Sequence, residues 1–116
     1  MADNLDATKA ERQISTLAIY SSHGLWLVRS TAASCWLDLD AGVLIRWPPG
    51  VNAAPTEVPL IAVLSVDVGD HDTIRVGDRH QYVTDPFPDQ LAMSYQMWVQ
   101  DTVTLIAPAT EISLDA

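Results

Sequence analysis

The sequence predicts an all-β domain: a small antiparallel barrel or sandwich of about eight short strands. Two observations indicate this class. Apolar and polar residues alternate with a period of two in several segments, and turn residues separate these segments about every eight to twelve residues. The regular succession of helix and strand patterns that predicts an α/β fold does not occur. The 116 residues suffice for one domain.

The first fifteen residues differ from the rest of the chain. Residues 1–15 are polar and predict a flexible tail or a short helix capped by Asp6 or Thr8. Docking of Leu5 and Ile14 on the β domain is the alternative. We therefore expect an N-terminal segment over 1–15 and a single β domain over 16–116.

The first predicted strands form a meander. Residues 25–31 read as one strand, and residues 34–40 alternate with Cys35, Leu37 and Leu39 in one phase. Gly42 can adopt the positive φ that a hairpin turn requires, so residues 43–47 return as the partner strand.

The clearest alternation lies in residues 91–100. The apolar phase of this segment consists of Leu91, Met93, Tyr95, Met97 and Val99. A helix would scatter these residues around its axis, so the segment predicts a strand buried on that phase and exposed on the other. The other predicted strands are 60–68, 73–76, 80–84 and 102–107, and the predicted loops are 51–59 and 85–89.

Charge and cysteine content restrict the partners and the compartment. Fifteen acidic residues face six basic ones, for a net charge of −9, which disfavours binding to nucleic acid phosphates or to anionic lipid. A basic protein partner is favoured, although acidity that only keeps the protein soluble is the alternative. The single Cys35 allows no intrachain disulfide, and no segment resembles a signal peptide or a membrane span. These features predict a cytoplasmic protein.

Catalytic patterns are weak. The Asp-His-Asp cluster at 70–72 reads as a polar turn, so no metal and no cofactor are expected. Cys35 lies on the apolar phase of its strand and is expected to be structural. Asp38 and Asp40 share a strand face, but exposed there both would stay ionised, unlike the two carboxylates of a hydrolase. No catalytic residue is assigned, and an enzyme is disfavoured.

Tryptophan gives the most informative signal. Trp47 shares the phase of apolar neighbours and is predicted to be core, whereas Trp36 and Trp98 occupy the otherwise polar phase of their strands. Because tryptophan is enriched in binding hot spots, we expect a protein-binding face formed by Trp36 with Asp38 and by Trp98 with Gln96. Burial of the two indoles under a loop or the N-terminal segment is the alternative.

Residues 25–49 resemble a group of uncharacterised small proteins of actinobacteria and their phages. The residues that carry the resemblance are Val28, Thr31, Leu37, Asp38, Leu39, Asp40, Arg46 and Pro48. The resemblance implies a β-rich class and a bacterial or phage origin, and it brings no catalytic residue.

The leading functional hypothesis is a non-enzymatic protein-binding or accessory domain, derived from a phage or mobile element, that acts as an acidic inhibitor or as an oligomeric component. A nucleic acid mimic would place most of its aspartates on one face at regular spacing. Those aspartates are Asp38, Asp40, Asp67, Asp70, Asp72 and Asp78. The alternative is a small-molecule or carbohydrate binder or hydrolase with a pocket at the barrel mouth that holds Trp36 with Asp38 or His80.

Overall fold

The chain forms strands and turns in the computed structural model, which describes residues 13–46, 55–85 and 96–110. These residues contain no helix, so the all-β prediction is confirmed. The strands are β1 (Thr16–Ala18), β2 (Leu25–Ser30), β3 (Ser34–Asp38), β4 (Val43–Arg46), β5 (Thr56–Ser65), β6 (Thr73–Arg75), β7 (His80–Thr84), β8 (Gln96–Gln100) and β9 (Val103–Ala109).

Seven strands form one antiparallel sheet in the order β8-β7-β5-β4-β3-β2-β9. The predicted meander is present, since β3 pairs with β2 on one side and with β4 on the other. Gly42 closes the β3–β4 hairpin with a φ of 71°, as the turn requires.

The sheet curls because of one short connection. The strands β8 and β9 lie at opposite ends of the strand order, yet only Asp101 and Thr102 separate them in the chain. The two ends of the sheet therefore converge around a common interior. Within the described residues β8 and β9 are not paired, so the sheet is sandwich-like and not a closed barrel.

A small ribbon of β1 and β6 covers this interior. Leu17 and Ile74 are partners across the ribbon, and both are buried in the same core cluster as Leu37 and Tyr82 of the large sheet. Before the ribbon, the Ile14 N–H donates to the Ile106 carbonyl of β9, and the Ile14 side chain packs on the core.

The long strand β5 joins the two halves of the sheet. Its first part pairs with β4 and its second part with β7, and the register shifts between Leu60 and Ala62. Such a bulge bends a strand and increases its twist, which suits a strand that must turn the sheet around the interior.

Several predicted boundaries are wrong. The predicted loop 51–59 ends early, because residues 56–59 pair with β4 as the start of β5. The predicted strand 60–68 stops at Ser65, whose backbone and side-chain oxygens accept bonds from the N–H groups of the following turn. Strand β1 was not predicted, since three residues are too few to show an alternation. Residues 1–12, 47–54, 86–95 and 111–116, including Leu5, Trp47 and most of the predicted loop 85–89, lie outside the described residues.

A buried amide links the two ends of the sheet. Gln100 at the end of β8 is 1% exposed, and its Nε2 donates to the carbonyls of Val28 and Ala33, both at 3.2 Å. Its Oε1 accepts the Tyr82 hydroxyl at 2.7 Å and lies 3.9 Å from the Cys35 thiol. The amide is therefore fully hydrogen-bonded inside the core, as a buried polar group must be.

Removing the Tyr82 hydroxyl should show how much this hydrogen-bond network stabilises the fold. In a Tyr82→Phe variant, Gln100 Oε1 keeps only the weak thiol donor, so we expect the free energy of unfolding to fall by about 1–3 kcal/mol. Urea denaturation measures the loss.

The control is Tyr20→Phe, because the Tyr20 hydroxyl also donates to a carbonyl but its side chain is 74% exposed. That variant should stay within about 0.5 kcal/mol of the original protein. Equal losses in the two variants would contradict a stabilising network.

Candidate binding surface on the edge strand

The edge strand β8 faces the opposite way from the prediction. Met97 and Val99, assigned to the buried phase, are 62% and 54% exposed, whereas Trp98 is half-buried and Gln100 is buried. The prediction is wrong because the Gln100 amide finds hydrogen-bond partners in the core and the Trp98 indole packs on its aromatic neighbour. The outer face of β8 is therefore apolar.

Trp98 contacts both an aromatic ring and a cation. Its indole stacks on the Tyr82 ring with centroids 5.3 Å apart, and the Arg46 guanidinium carbon lies 4.4 Å from the centre of the indole. Burial lowers the pKa of Arg46 from its ordinary value. The stack ties β4, β7 and β8 together on the inner side of the sheet, so Trp98 serves packing over at least one face of its ring.

Trp36 is not on the surface. It is 2% exposed, so the prediction of an exposed Trp36 is wrong. The strand β3 is central and covered on both faces: Cys35 and Leu37 point into the core, and Trp36 on the other face aligns with Leu27 and Ile45 of the neighbouring strands. Alternation alone could not show that the second face is covered too.

The four predicted binding residues do not share one face. Trp36 and Asp38 lie on the outer side of β3, whereas Gln96 and Trp98 follow the inner phase of β8. Asp38 is half-buried, and its Oδ1 accepts the Ala41 N–H at 3.0 Å within the hairpin turn. Gln96 is half-buried beside Thr84. A binding role for Asp38, Gln96 and Trp98 stays a prediction.

The aspartates fall into two separate places. Among the described residues, His23 Nδ1 lies 3.4 Å from Asp40 Oδ1, and ion pairs join Arg75 to Asp70 and Arg79 to Asp67. The first pair lies near the β3–β4 hairpin, and the other two lie in the turns between β5 and β7. Hydrogen bonds from Arg79 lower the pKa of the Asp67 carboxyl. Carboxylates that are divided in this way, with Asp70 and Asp67 each paired with an arginine, argue against a regular row that imitates phosphates.

An exposed apolar patch forms where β8 meets β7. The pairs Val99–Gln81 and Met97–Val83 lie side by side on the outer face, and the Gln81 amide donates to the Met97 sulfur at 2.8 Å. We call these four residues the β8 edge surface. The strand carries no charged residue and no proline, and no strand lies beyond it among the residues that the structure describes.

The opposite edge of the sheet is covered. On β9, the Ile106 carbonyl accepts the Ile14 N–H at 3.0 Å. Val103 exchanges two backbone bonds with the turn before β7, donating to the Asp78 carbonyl at 3.0 Å and accepting the Gly77 N–H at 2.8 Å. Among the described residues the two ends of the sheet therefore differ, and the edge without a neighbouring segment is the one that bears the apolar patch.

Cys35 and the Asp-His-Asp turn at 70–72, the candidate catalytic and metal-binding groups of the sequence, have structural roles in the fold. Burial raises the pKa of the Cys35 thiol to about 12, which makes it a poor nucleophile. In the turn at 70–72, Asp72 Oδ1 accepts the Val63 N–H at 3.2 Å. Within the described ranges, no three histidine, cysteine or carboxylate side chains lie close enough together to hold a metal ion.

No family model, curated protein or solved structure matches the chain. Nor does the described part of the chain contain a helix with the length and apolar character needed to cross a bilayer.

The state of Cys35 can be checked with a thiol reagent. With a pKa of about 12, its thiolate fraction at pH 8 is roughly a thousandfold below that of an ordinary cysteine. We expect the native protein to react with a disulfide reagent such as DTNB only as fast as it unfolds. The same protein in urea, where the thiol is freed, is the control. A native rate equal to the rate in urea would contradict burial of this thiol.

Proposed function

We propose that the protein is a non-enzymatic binding domain that holds another protein chain through the β8 edge surface. The observation that supports this proposal is that Met97 and Val99 are exposed on an edge strand without charge or proline, with no strand beyond it among the described residues. Native edge strands are usually protected by charged residues or proline, and an apolar edge strand that has neither is typical of an interaction site. An added strand would pair its backbone with β8 and cover both side chains.

A second copy of the chain fits this edge by symmetry. The residues Gln96–Gln100 read almost the same in both directions, as glutamine, apolar, tryptophan, apolar, glutamine. Antiparallel pairing centred on Trp98 therefore places Met97 of one copy opposite Val99 of the other. This is the self-complementary contact of a two-fold dimer. Within these five positions no carboxylates meet, although each copy carries a net charge of −9.

The competing pocket hypothesis has weaker support. A barrel-mouth binder or hydrolase would hold Trp36 with Asp38 or His80 in an open pocket, but Trp36 is 2% exposed and His80 is 0% exposed. The proposal includes a reducing, cytoplasmic setting, supported by the unpaired buried Cys35. It also includes an actinobacterial or phage origin, supported by the resemblance over residues 25–49. A basic host protein is the alternative occupant of the edge.

The oligomeric state tests the proposal. We expect light scattering after size exclusion to show a dimer that the double variant Met97→Lys, Val99→Lys converts to a monomer, because a lysine edge resists pairing. The control is Val68→Lys, since Val68 is 60% exposed but lies in the turn after β5. That variant should remain dimeric. Circular dichroism checks that all three proteins are folded.

The salt dependence of the dimer and capture from a lysate distinguish a second copy of the chain from a basic protein as the occupant of the edge. Salt screens repulsion between copies that each carry −9, so the dimer fraction should rise with salt, whereas binding to a basic protein should fall. If the original protein is monomeric but captures a lysate protein that the double variant does not capture, the edge binds a different chain. If the double variant matches the original protein in both oligomeric state and captured proteins, the β8 edge surface is not the binding site.

A further inference from the structure

His80, the first residue of β7, is a fully buried histidine that accepts a backbone hydrogen bond. It is 0% exposed, and its Nε2 lies 3.1 Å from the Arg75 nitrogen, whose N–H it accepts. A ring nitrogen can accept only without a proton, so the imidazole is neutral with its proton on Nδ1. Nδ1 is itself buried and has no hydrogen-bond partner. The site thus suits the neutral ring and offers no acceptor for a second proton.

The charged groups around His80 oppose one another. Asp78 and Asp67 favour a protonated ring, whereas Arg75 and burial disfavour it. Both carboxylates are already engaged, since Asp78 accepts the Ser65 hydroxyl at 3.5 Å and Asp67 is paired with Arg79. Burial is the largest influence, and the pKa of His80 is lowered from its ordinary value.

The bond from Arg75 to His80 stands at the base of a turn that holds three strands together. The Asp78 N–H donates to the Arg75 carbonyl at 3.2 Å within this turn, and the turn exchanges two backbone bonds with Val103 at the start of β9. Arg75 also ends β6, where it is the partner of Thr16 on β1. Any change at His80 therefore reaches both the turn and the covering ribbon.

We propose that His80 is an acid-sensitive latch: protonation of its ring breaks the bond from the Arg75 N–H and releases the 75–80 turn and the β1–β6 ribbon from the core. A protonated ring carries a hydrogen on Nε2, which then faces the hydrogen of the Arg75 amide. The ring must leave the site or the turn must open. This latch does not depend on the binding role of β8.

The pH window follows from the direction of the pKa shift. Above the ordinary histidine pKa, the ring is neutral in both the closed and the open state, and pH has no effect through this group. As the pH falls through that value, the open state binds a proton that the closed state excludes, so the closed state loses stability. The loss stops growing below the lowered pKa of the closed state.

Hydrogen exchange of the Arg75 amide tests the latch. Between pH 7.5 and pH 5.5, after correction for intrinsic exchange rates, we expect its protection to fall only below the ordinary histidine pKa of about 6.5. There the fall is up to about tenfold per pH unit, the limit for one proton. His80→Gln should keep its protection at both pH values, because a glutamine oxygen can accept the Arg75 N–H and does not titrate. His71→Gln is the matched control, since His71 is exposed. It should behave as the original protein does.

A measurement on the unsubstituted protein keeps the test independent of folding of the variants. The nitrogen chemical shifts of the His80 ring report its tautomer and its titration. We expect the Nδ1-protonated neutral form at pH 7.5 and a ring titration below the ordinary histidine pKa. The loss of Arg75 protection should begin at that ordinary pKa and stop growing where the ring itself titrates. An Nε2-protonated neutral ring, a titration above the ordinary histidine pKa, or protection that is the same at both pH values would each overturn the latch.

Discussion

The fold depends on how the two ends of one curled sheet are held together. Two residues lead from β8 to β9, so the chain passes from one end of the sheet to the other in a single step. The interior between these ends is bridged by the side chain of Gln100, which reaches carbonyls of Val28 on β2 and of Ala33 just before β3. An amide is stable there because both of its donors and its acceptor oxygen have partners. In a closed barrel, strand pairing joins the two ends of the sheet. Here the side-chain hydrogen bonds of Gln100 join them across the interior.

This inward amide determines the outer surface of β8. Side chains alternate along a strand, so a core position for Gln100 and Trp98 forces Met97 and Val99 outward. Shifting the strand by one residue would bury the two apolar side chains but would remove the Gln100 bonds and the stack of Trp98 on Tyr82. The exposed apolar pair is therefore a consequence of a polar network in the core, and the proposed binding surface and the closure of the sheet have a common origin.

The sequence predicts local geometry better than it predicts contacts across the interior. Alternation identified Cys35 and Leu37 as core residues, the hairpin at Gly42 and the bounds of β7 at 80–84. It could not tell which phase of β8 faces inward, because the carbonyl partners of Gln100 lie 72 and 67 residues away in the chain. For the same reason it misplaced Trp36, whose burial depends on a covered second face. The bare edge of β8 becomes visible only with the strand order.

The difference between the two edges decides what kind of assembly β8 can form. An edge strand that pairs with a second copy produces an open fibre if the partner presents another bare edge of the same sheet. Among the described residues, β9 is covered by Ile14 and by the turn at Gly77 and Asp78, whereas no strand pairs with the outer edge of β8. Pairing of β8 with β8 uses that edge on both copies at once. In the proposed dimer, strand addition would therefore close after one step, and an apolar edge without protective charge is compatible with a discrete dimer.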